Sequence, residues 1–128
     1  MNREIKFRGK RVDNGKWVYG HYFMGVPSPL DENKQRHYIA PPCGLGEEVD
    51  PATVGQFTGQ KDKHGKEVYE GDILRYSRRL FIVTWSNDIG GWVNKPVDGK
   101  PSYPCFNTGT VKGMEIVGNI HDNSEVGK

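Results

Sequence analysis

Glycine and proline interrupt every part of this sequence, with 17 glycines and 8 prolines among 128 residues. Each interior glycine costs a helix about 1 kcal/mol, and each proline costs it about 3 kcal/mol. Long helices are therefore excluded, whereas short strands accommodate such residues in the turns that join them. We expect a mainly β protein in which no helix exceeds about two turns, because no segment keeps a 3.6-residue apolar period.

Alternating apolar and polar residues predict where the strands lie. A strand at 4–8 is followed by Asn-Gly within 13–16, which favours a type I′ hairpin turn because both residues accept positive φ. The return strand is Trp17–Met24, in which Gly20 indicates a bulge or a close backbone approach. The most apolar strand, at 80–85, is expected to be central. Further strands are predicted at 37–40, 66–69, 73–76, 92–93 and 114–120, and loops at 26–35, 43–48 and 96–113.

The segment 49–74 combines a capped turn, a hairpin and the entry to a strand. Asp50 is suited to cap a helical turn, Pro51 to its first position and Gly55 to a left-handed stop. The four residues 62–65 place Asp first and Gly last, as a hairpin turn prefers, so we expect positive φ at the glycine.

The length is that of one domain, and no composition break suggests a boundary. We therefore expect a single domain over residues 1–128, with 121–128 as a polar tail. Aromatic residues, at 11%, suffice for a compact core. The expected core residues are Trp17, Tyr19, Phe57, Ile73, Ile82, Val83 and Ile116.

Five collinear blocks resemble the YopX-like family of small phage and prophage proteins. These blocks are 3–10 with 17–20, 38–41, 49–59, 62–66 with 69–73, and 115–120. The resemblance implies a phage or prophage origin and an all-β fold of short antiparallel strands and hairpins, with a branched sheet curled into a partial barrel. It carries no catalytic residues, because none are established for the family. The loops 26–35 and 96–113 fall outside the resemblance.

Charge and cysteine content indicate a protein of the host cytoplasm. The net charge of +2 is too small to imply nucleic acid by itself. Cys43 and Cys105 are interpreted as free thiols, with a disulfide or a shared metal as alternatives, and no CxxC pair supports zinc. The charged N-terminus lacks the apolar core of a signal peptide, and no apolar run approaches the ~20 residues that span a bilayer.

The acidic residues around Gly71 admit a divalent-cation site, in which Glu70 and Asp72 act with Glu67 or Asp62. The preferred interpretation is structural, because acids beside a sharp corner are solvated and accept from backbone amides. We therefore predict no metal site at this corner.

No catalytic constellation emerges from the remaining residues. The histidines form neither HExxH nor a paired zinc spacing, although a nucleophilic Cys–His pair stays open. They are His21, His37, His64 and His121. The GxG at 44–46 lacks the rest of a dinucleotide fingerprint. We expect no catalytic residue, no cofactor and no enzymatic activity.

A basic and aromatic set is the candidate binding site, because cationic grooves with aromatic platforms bind single strands. Its members are Lys6, Arg8, Arg75, Tyr76, Arg78 and Arg79. The leading hypothesis is nevertheless a module that docks onto a phage protein, a host protein or a second copy of itself. The motive is the N-terminal strand, whose edge is expected to be unpaired. Nucleic-acid binding is the second hypothesis and a small enzyme the third, and no membrane partner is expected.

Overall fold

The computed structural model describes residues 4–25, 35–42, 44–100 and 106–122. Within these ranges the elements are β1 Phe7–Lys10, β2 Trp17–Met24, β3 His37–Ala40, β4 Glu47–Val49, a 3₁₀ turn at Pro51–Thr53, β5 Gly55–Lys61, β6 Glu67–Tyr69, β7 Asp72–Tyr76, β8 Arg79–Ser86, β9 Gly91–Pro96, α1 Thr108–Val111 and β10 Glu115–Asn119. The predicted mainly β class is confirmed, and no described helix exceeds two turns. None of these helices has the length and apolar character needed to cross a lipid bilayer.

The chain divides into two compact units, residues 1–56 and residues 57–128. Strand β5 begins in the first unit and ends in the second. That the whole chain is one domain stays a prediction. Most of the predicted tail, at 123–128, lies outside the described residues, as do Cys43, Cys105 and most of the predicted loop 26–35.

In the first unit an antiparallel sheet runs in the order β4-β3-β2-β1, and β1 also pairs with the start of β5. The sheet curls until β4 meets the end of β1, where Arg11 forms a bridge with Val49. Two backbone bonds flank that bridge, from the Asp50 amide to the Lys10 carbonyl at 2.9 Å and from the Val12 amide to the Glu48 carbonyl at 3.1 Å. The result is the curled, partly closed sheet that was predicted, and neither sheet of the described chain is a closed barrel.

The inner side of the curled sheet is small and tightly filled. Ile39 and Val49 are buried, and a Cβ added to Gly9 would lie 3.1 Å from the Val49 Cβ. A Cβ on Gly20 would lie only 2.1 Å from the carbonyl oxygen of Ala40. This distance confirms the predicted close backbone approach at Gly20, since only a glycine leaves room for the neighbouring strand.

The second unit is built on an antiparallel sheet in the order β10-β7-β8-β9, beside the ladder of β5 and β6. Strand β8 is internal, as predicted for 80–85. The core cluster of the second unit consists of Val68, Leu74, Val83, Val111 and Met114. Three partly buried side chains pack against this cluster, Trp92, Phe106 and Ile116.

The turn chemistry of the segment 49–74 is largely as predicted. The side chain of Asp50 accepts from the Ala52 amide at 3.0 Å, with Pro51 at the first position of the 3₁₀ turn. Gly65 has positive φ, at 79°. The prediction for Gly55 is wrong, because extended Val54 ends the turn and Gly55 already lies in β5.

The first hairpin differs from the prediction at both of its ends. Strand β1 begins at Phe7 rather than at residue 4, and Ile5 is 44% exposed. The type I′ turn is wrong because Gly15 alone in this loop has positive φ. A four-residue loop forms instead, closed by the Gly15 amide on the Arg11 carbonyl and by the Asn14 side chain on the Lys16 amide.

Two predicted loops contain short elements. Strand β4 lies at the end of the loop predicted at 43–48 and pairs with β3. Helix α1 lies within the loop predicted at 96–113, where the Asn107 side chain accepts from the Thr110 amide at 2.9 Å. Val111 in that helix is fully buried.

The predicted core is confirmed for Phe57, Ile73 and Val83, which are buried. It is wrong for Tyr19, which is 47% exposed because it lies on the outer side of the curled sheet. The other three predicted core residues, Trp17, Ile82 and Ile116, are half-buried.

Candidate functional site

The predicted basic and aromatic set is divided between the two units. Lys6 and Arg8 belong to the first unit, whereas the residues within 75–79 belong to the second. Each group is therefore described in its own surroundings.

In the second unit two of the three arginines are held in ion pairs. Arg75 donates to Glu115, and this hydrogen bond holds the pKa of Glu115 below its usual range. Arg79 donates two hydrogen bonds to Asp98, at 3.1 and 3.2 Å, which likewise lower the pKa of that carboxyl. The Arg79 guanidinium also lies 5.0 Å from the ring centroid of Phe81. Both arginines thus hold β7 and β8 to neighbouring segments.

Besides Arg75, which is exposed and paired with Glu115, the exposed members of the predicted set in the second unit are Tyr76 and Arg78. They flank Ser77, which has φ of 58° in the turn between β7 and β8. The predicted cationic surface of this unit is therefore divided between the ion-paired arginines, Arg75 and Arg79, and Arg78 beside Tyr76.

In the first unit the strand register gathers rings and cations on one side of the curled sheet. Alternate residues of β2 share a side, and each has a partner directly opposite on a neighbouring strand. Arg8 lies opposite Tyr19, Lys10 opposite Trp17 and Tyr38 opposite Phe23. We call this side the aromatic face, and it comprises Arg8, Lys10, Trp17, Tyr19, His21, Phe23 and Tyr38.

The rings of the aromatic face are ordered by contacts with their neighbours. The Arg8 guanidinium lies 4.6 Å from the Trp17 ring centroid, and the Lys10 ammonium lies 5.5 Å from it. Phe23 and Tyr38 stack at 5.2 Å with an interplanar angle of 16°. Such cation–π and ring contacts hold aromatic planes in fixed orientations.

Access to the aromatic face increases along β2. Arg8 is buried, and Trp17 and Lys10 are half-buried. Tyr19 and Phe23 are 47% and 45% exposed, although both lie on an inner strand of the sheet. Large exposed rings at the middle of a sheet offer a ready contact surface.

The charged side chains around the aromatic face lie on different strands according to their sign. Arg8 and Lys10 lie on β1, and Lys6 just before this strand forms an ion pair with Glu4 at 2.7 Å. An acid lies on β4, where Glu48 is opposite Tyr38. Arg11 forms ion pairs with Asp13 at 2.7 Å and with Glu47 at 3.3 Å. The positive side of the face is therefore the β1 side.

The segment around the 3₁₀ turn has a structural task. The Thr53 hydroxyl donates to the Asp50 carbonyl at 2.7 Å and accepts from the Lys10 amide at 2.8 Å, so it ties the turn to β1. A groove of about 620 Å³ beside it is lined by residues of both charge signs, among them Lys10, Arg11, His37, Glu48 and Asp50. Opposite charges in one open groove do not converge on a single kind of ligand.

Two of the acids considered as metal ligands accept hydrogen bonds from backbone amides in the second unit. Buried Asp62 accepts from the amides of His64, Lys66 and Ile116, and buried Asp72 accepts from the Tyr69 amide at 2.8 Å. In the described residues no three His, Cys, Asp or Glu side chains come together as a metal site would require.

Two of the described histidines, His37 and His64, have ordinary partners. A ring nitrogen of His37 lies 2.6 Å from the Tyr22 hydroxyl, and His64 lies 3.4 Å from Glu115. The Cys–His alternative concerns Cys43 and Cys105, which lie outside the described residues.

Sequence interpretation missed the exposed rings of the aromatic face. It assigned Trp17 and Tyr19 to the core and gave Phe23 and Tyr38 no role. The signal was present in β2, where rings occupy positions 17, 19, 21 and 23, although Tyr22 lies between them together with Val18 and Gly20. Which side faces the core depends on the pairing with β3 and β4, and alternation alone does not reveal that pairing.

Comparison with known proteins agrees with this architecture. The family model described as YopX protein matches residues 6–126. Among solved structures the chain is similar to the crystal structure of protein EF1440 from Enterococcus faecalis, with 21% sequence identity and a TM-score of 0.60. That alignment covers 99% of this chain and 100% of the other, and at this identity it shows a shared fold alone. No curated protein matches the chain.

Proposed function

We infer the role of this chain from the fact that it belongs to the YopX protein family, whose model spans residues 6–126. We propose that it is a non-enzymatic binding module of phage or prophage origin that works in the host cytoplasm. Its contact surface is the aromatic face of the first unit. The origin follows from the resemblance to phage and prophage proteins, and the surface from the geometry of the face.

The observation that carries this proposal is the exposure of Tyr19 and Phe23 on an inner strand. Tyr, Trp and Arg are the residues most enriched among those that dominate binding energy at protein surfaces. Rigid rings contribute large contact areas and lose little conformational entropy on binding. A row of them beside two cations is therefore suited to recognition.

The surroundings of the titratable groups favour binding over catalysis. A general base or nucleophile must reach its reacting partner, and its pKa must suit the reaction. The carboxylates of Asp62 and Asp72 instead accept from backbone amides, and His37 contacts the Tyr22 hydroxyl. These groups are used to hold the fold together.

A capture experiment tests the proposed surface. Wild-type protein and a Tyr19→Ala/Phe23→Ala variant are used as bait in lysate from infected or lysogenic cells, and both protein and nucleic acid are measured in the eluate. Tyr76→Ala is the matched control, because Tyr76 is 45% exposed but lies in the second unit. We expect the double variant alone to lose the captured material. Equal capture by all three proteins would contradict the proposal.

Self-association through a sheet edge is a second candidate function, at an edge other than the N-terminal strand. The N-terminal strand does not offer the expected edge, because β1 pairs with both β2 and β5. Within the described chain β9 pairs with β8 alone, so its outer side can accept another strand. Light scattering over a concentration series tests this candidate, and a strict monomer at ~100 μM would exclude it.

A further inference from the structure

We propose that the aromatic face binds a single strand of nucleic acid. This inference rests on the binding role proposed above. The bases stack on the rings of β2 and β3, and the sugar–phosphate backbone passes Lys10 on β1. Three features of the face support this assignment.

The first feature is the spacing of the rings. Residues that share a side of a strand are about 6.8 Å apart, since the rise is about 3.4 Å per residue. A stacked nucleic-acid strand rises by about 3.4 Å per nucleotide, so the distance between successive rings matches two nucleotide steps. Trp17, Tyr19, His21 and Phe23 provide such a row along β2, and Tyr38 extends it onto β3. Stacking of this kind tolerates any base, because every base has a π-face.

The second feature is a cation beside the rings. Lys10 lies on β1 directly opposite Trp17, one strand away from the ring row, at the inter-strand distance of about 4.8 Å. Its side chain is half-buried, whereas the Arg8 side chain on the same strand is buried. The Lys10 ammonium attracts a polyanionic backbone to this border of the face.

The third feature is the kind of apolar surface that the face presents. Its side chains are rings and charged groups, and Ala40 is the aliphatic residue among the paired strand positions on this side. Val18, Ile39 and Val49 all point to the other side, where Ile39 and Val49 are buried. Flat rings are the surface on which the exposed bases of a single strand stack. A duplex is disfavoured because its base faces are already stacked.

Fluorescence anisotropy with labelled oligonucleotides tests this inference. The probes are oligodeoxythymidine and oligouridine of ~20 nucleotides and a duplex of similar length, longer than the site of one small β module. We expect both single strands to bind and the duplex to bind much more weakly. Tyr19→Ala and Phe23→Ala should each weaken binding by about tenfold, the loss typical of one stacked base. Tyr76→Ala should leave binding unchanged.

The salt dependence of binding separates phosphate contacts from stacking. Each phosphate contact with a single strand adds about 0.7 to the slope of the logarithm of affinity against the logarithm of salt concentration. Lys10→Gln should therefore reduce that slope by about 0.7, whereas the ring variants should leave it unchanged. Arg78→Gln is the matched control, because Arg78 is exposed in the second unit.

The results distinguish failure of the ligand from failure of the surface. If neither single strand binds while the double variant still loses a captured protein, this inference is overturned and the proposed function stands. If the strands bind equally well to every variant, or the duplex binds as tightly, the assignment to the aromatic face is overturned. Binding of RNA alone supports the inference and adds a contact with the 2′-hydroxyl.

Discussion

At the scale of single residues, Asp62 joins two parts of the second unit that are distant in sequence. One carboxylate oxygen accepts from the amides of His64 and Lys66, each at 2.9 Å, and the other accepts from the Ile116 amide at 3.1 Å. Burial raises the pKa of Asp62, but the three amide bonds outweigh it and leave the pKa below its ordinary value. The turn bonds were predictable from the residues 62–65, whereas the bond to β10 was not, because 54 positions separate its partners.

Asp62→Asn should lower the free energy of unfolding by roughly 1–3 kcal/mol at neutral pH, because an amide replaces a charged acceptor of three bonds. The folded-state pKa lies below the unfolded value of about 3.9. The stabilisation is therefore complete above that unfolded value and is lost as pH falls through the folded pKa. Urea unfolding of both proteins should show a gap that narrows in acid. An equal gap for exposed Asp88→Asn would contradict this account.

Gly20→Ala should destabilise the protein far more than a typical glycine substitution. Its Cβ would lie 2.1 Å from a backbone oxygen of Ala40, and no side chain can move to relieve that contact. Overpacking of this kind costs about 1–3 kcal/mol or more. Gly91→Ala is the control, because Gly91 also lies in a strand but its added Cβ would meet no atom within 4 Å. Equal melting temperatures for the two variants would refute the close approach.

At the scale of elements, local pattern identified the strands that carry clear alternation and missed those defined by their partners. The predicted bounds of β2 and β3 match the structure, because their rings and β-branched residues favour strands over several positions. Strand β4 has three residues, two of them glutamate, and exists because it pairs with β3 and meets Arg11. Helix α1 contains Gly109 among threonines, so its propensity is poor, and its cap and buried Val111 hold it in place.

Strand β8 illustrates what alternation leaves undecided. The sequence predicted a central strand, and it placed Ile82 and Val83 in the core although neighbours on a strand face opposite sides. Phe81 and Val83 are buried, and Ile82 on the other side is half-buried.

Phe81→Ala should therefore lower the free energy of unfolding by about 3–5 kcal/mol, the usual loss for a buried phenylalanine. Ile82→Ala should cause a clearly smaller loss, since part of that side chain already contacts water. Chemical denaturation of both variants measures the two values in one series. A larger loss for Ile82→Ala would mean that the other side of β8 forms the core.

At the scale of the whole molecule, the family resemblance predicted the fold class better than any single pattern did. A curled sheet requires β4 to reach the end of β1, a contact that no local signal reveals. The candidate site escaped prediction for a related reason. Its rings were visible in the sequence, but the side that is exposed is set by the pairing of four strands. The predicted arginines Arg75 and Arg79 proved to be partners of Glu115 and Asp98.

The prediction that the chain is a single domain can be tested by its unfolding. Strand β5 pairs with β1 through Gly55 and Gln56 and with β6 through Phe57 and Lys61, so one continuous strand contributes to the ladders of both compact units. Unfolding either unit frees part of that strand, and we therefore expect one cooperative transition.

The three tryptophans make this transition observable in each unit. Trp17 reports the first unit, and Trp85 with Trp92 report the second. A Trp17→Phe variant retains the reporters of the second unit, and a Trp85→Phe/Trp92→Phe variant retains the reporter of the first. For each variant, fluorescence and circular dichroism are measured on the same protein, so that any loss of stability caused by the substitution affects both signals. Coincident midpoints in both variants are expected of a single domain. A fluorescence midpoint that departs from the circular dichroism midpoint would show that the two units unfold separately, and the single-domain prediction would then be wrong.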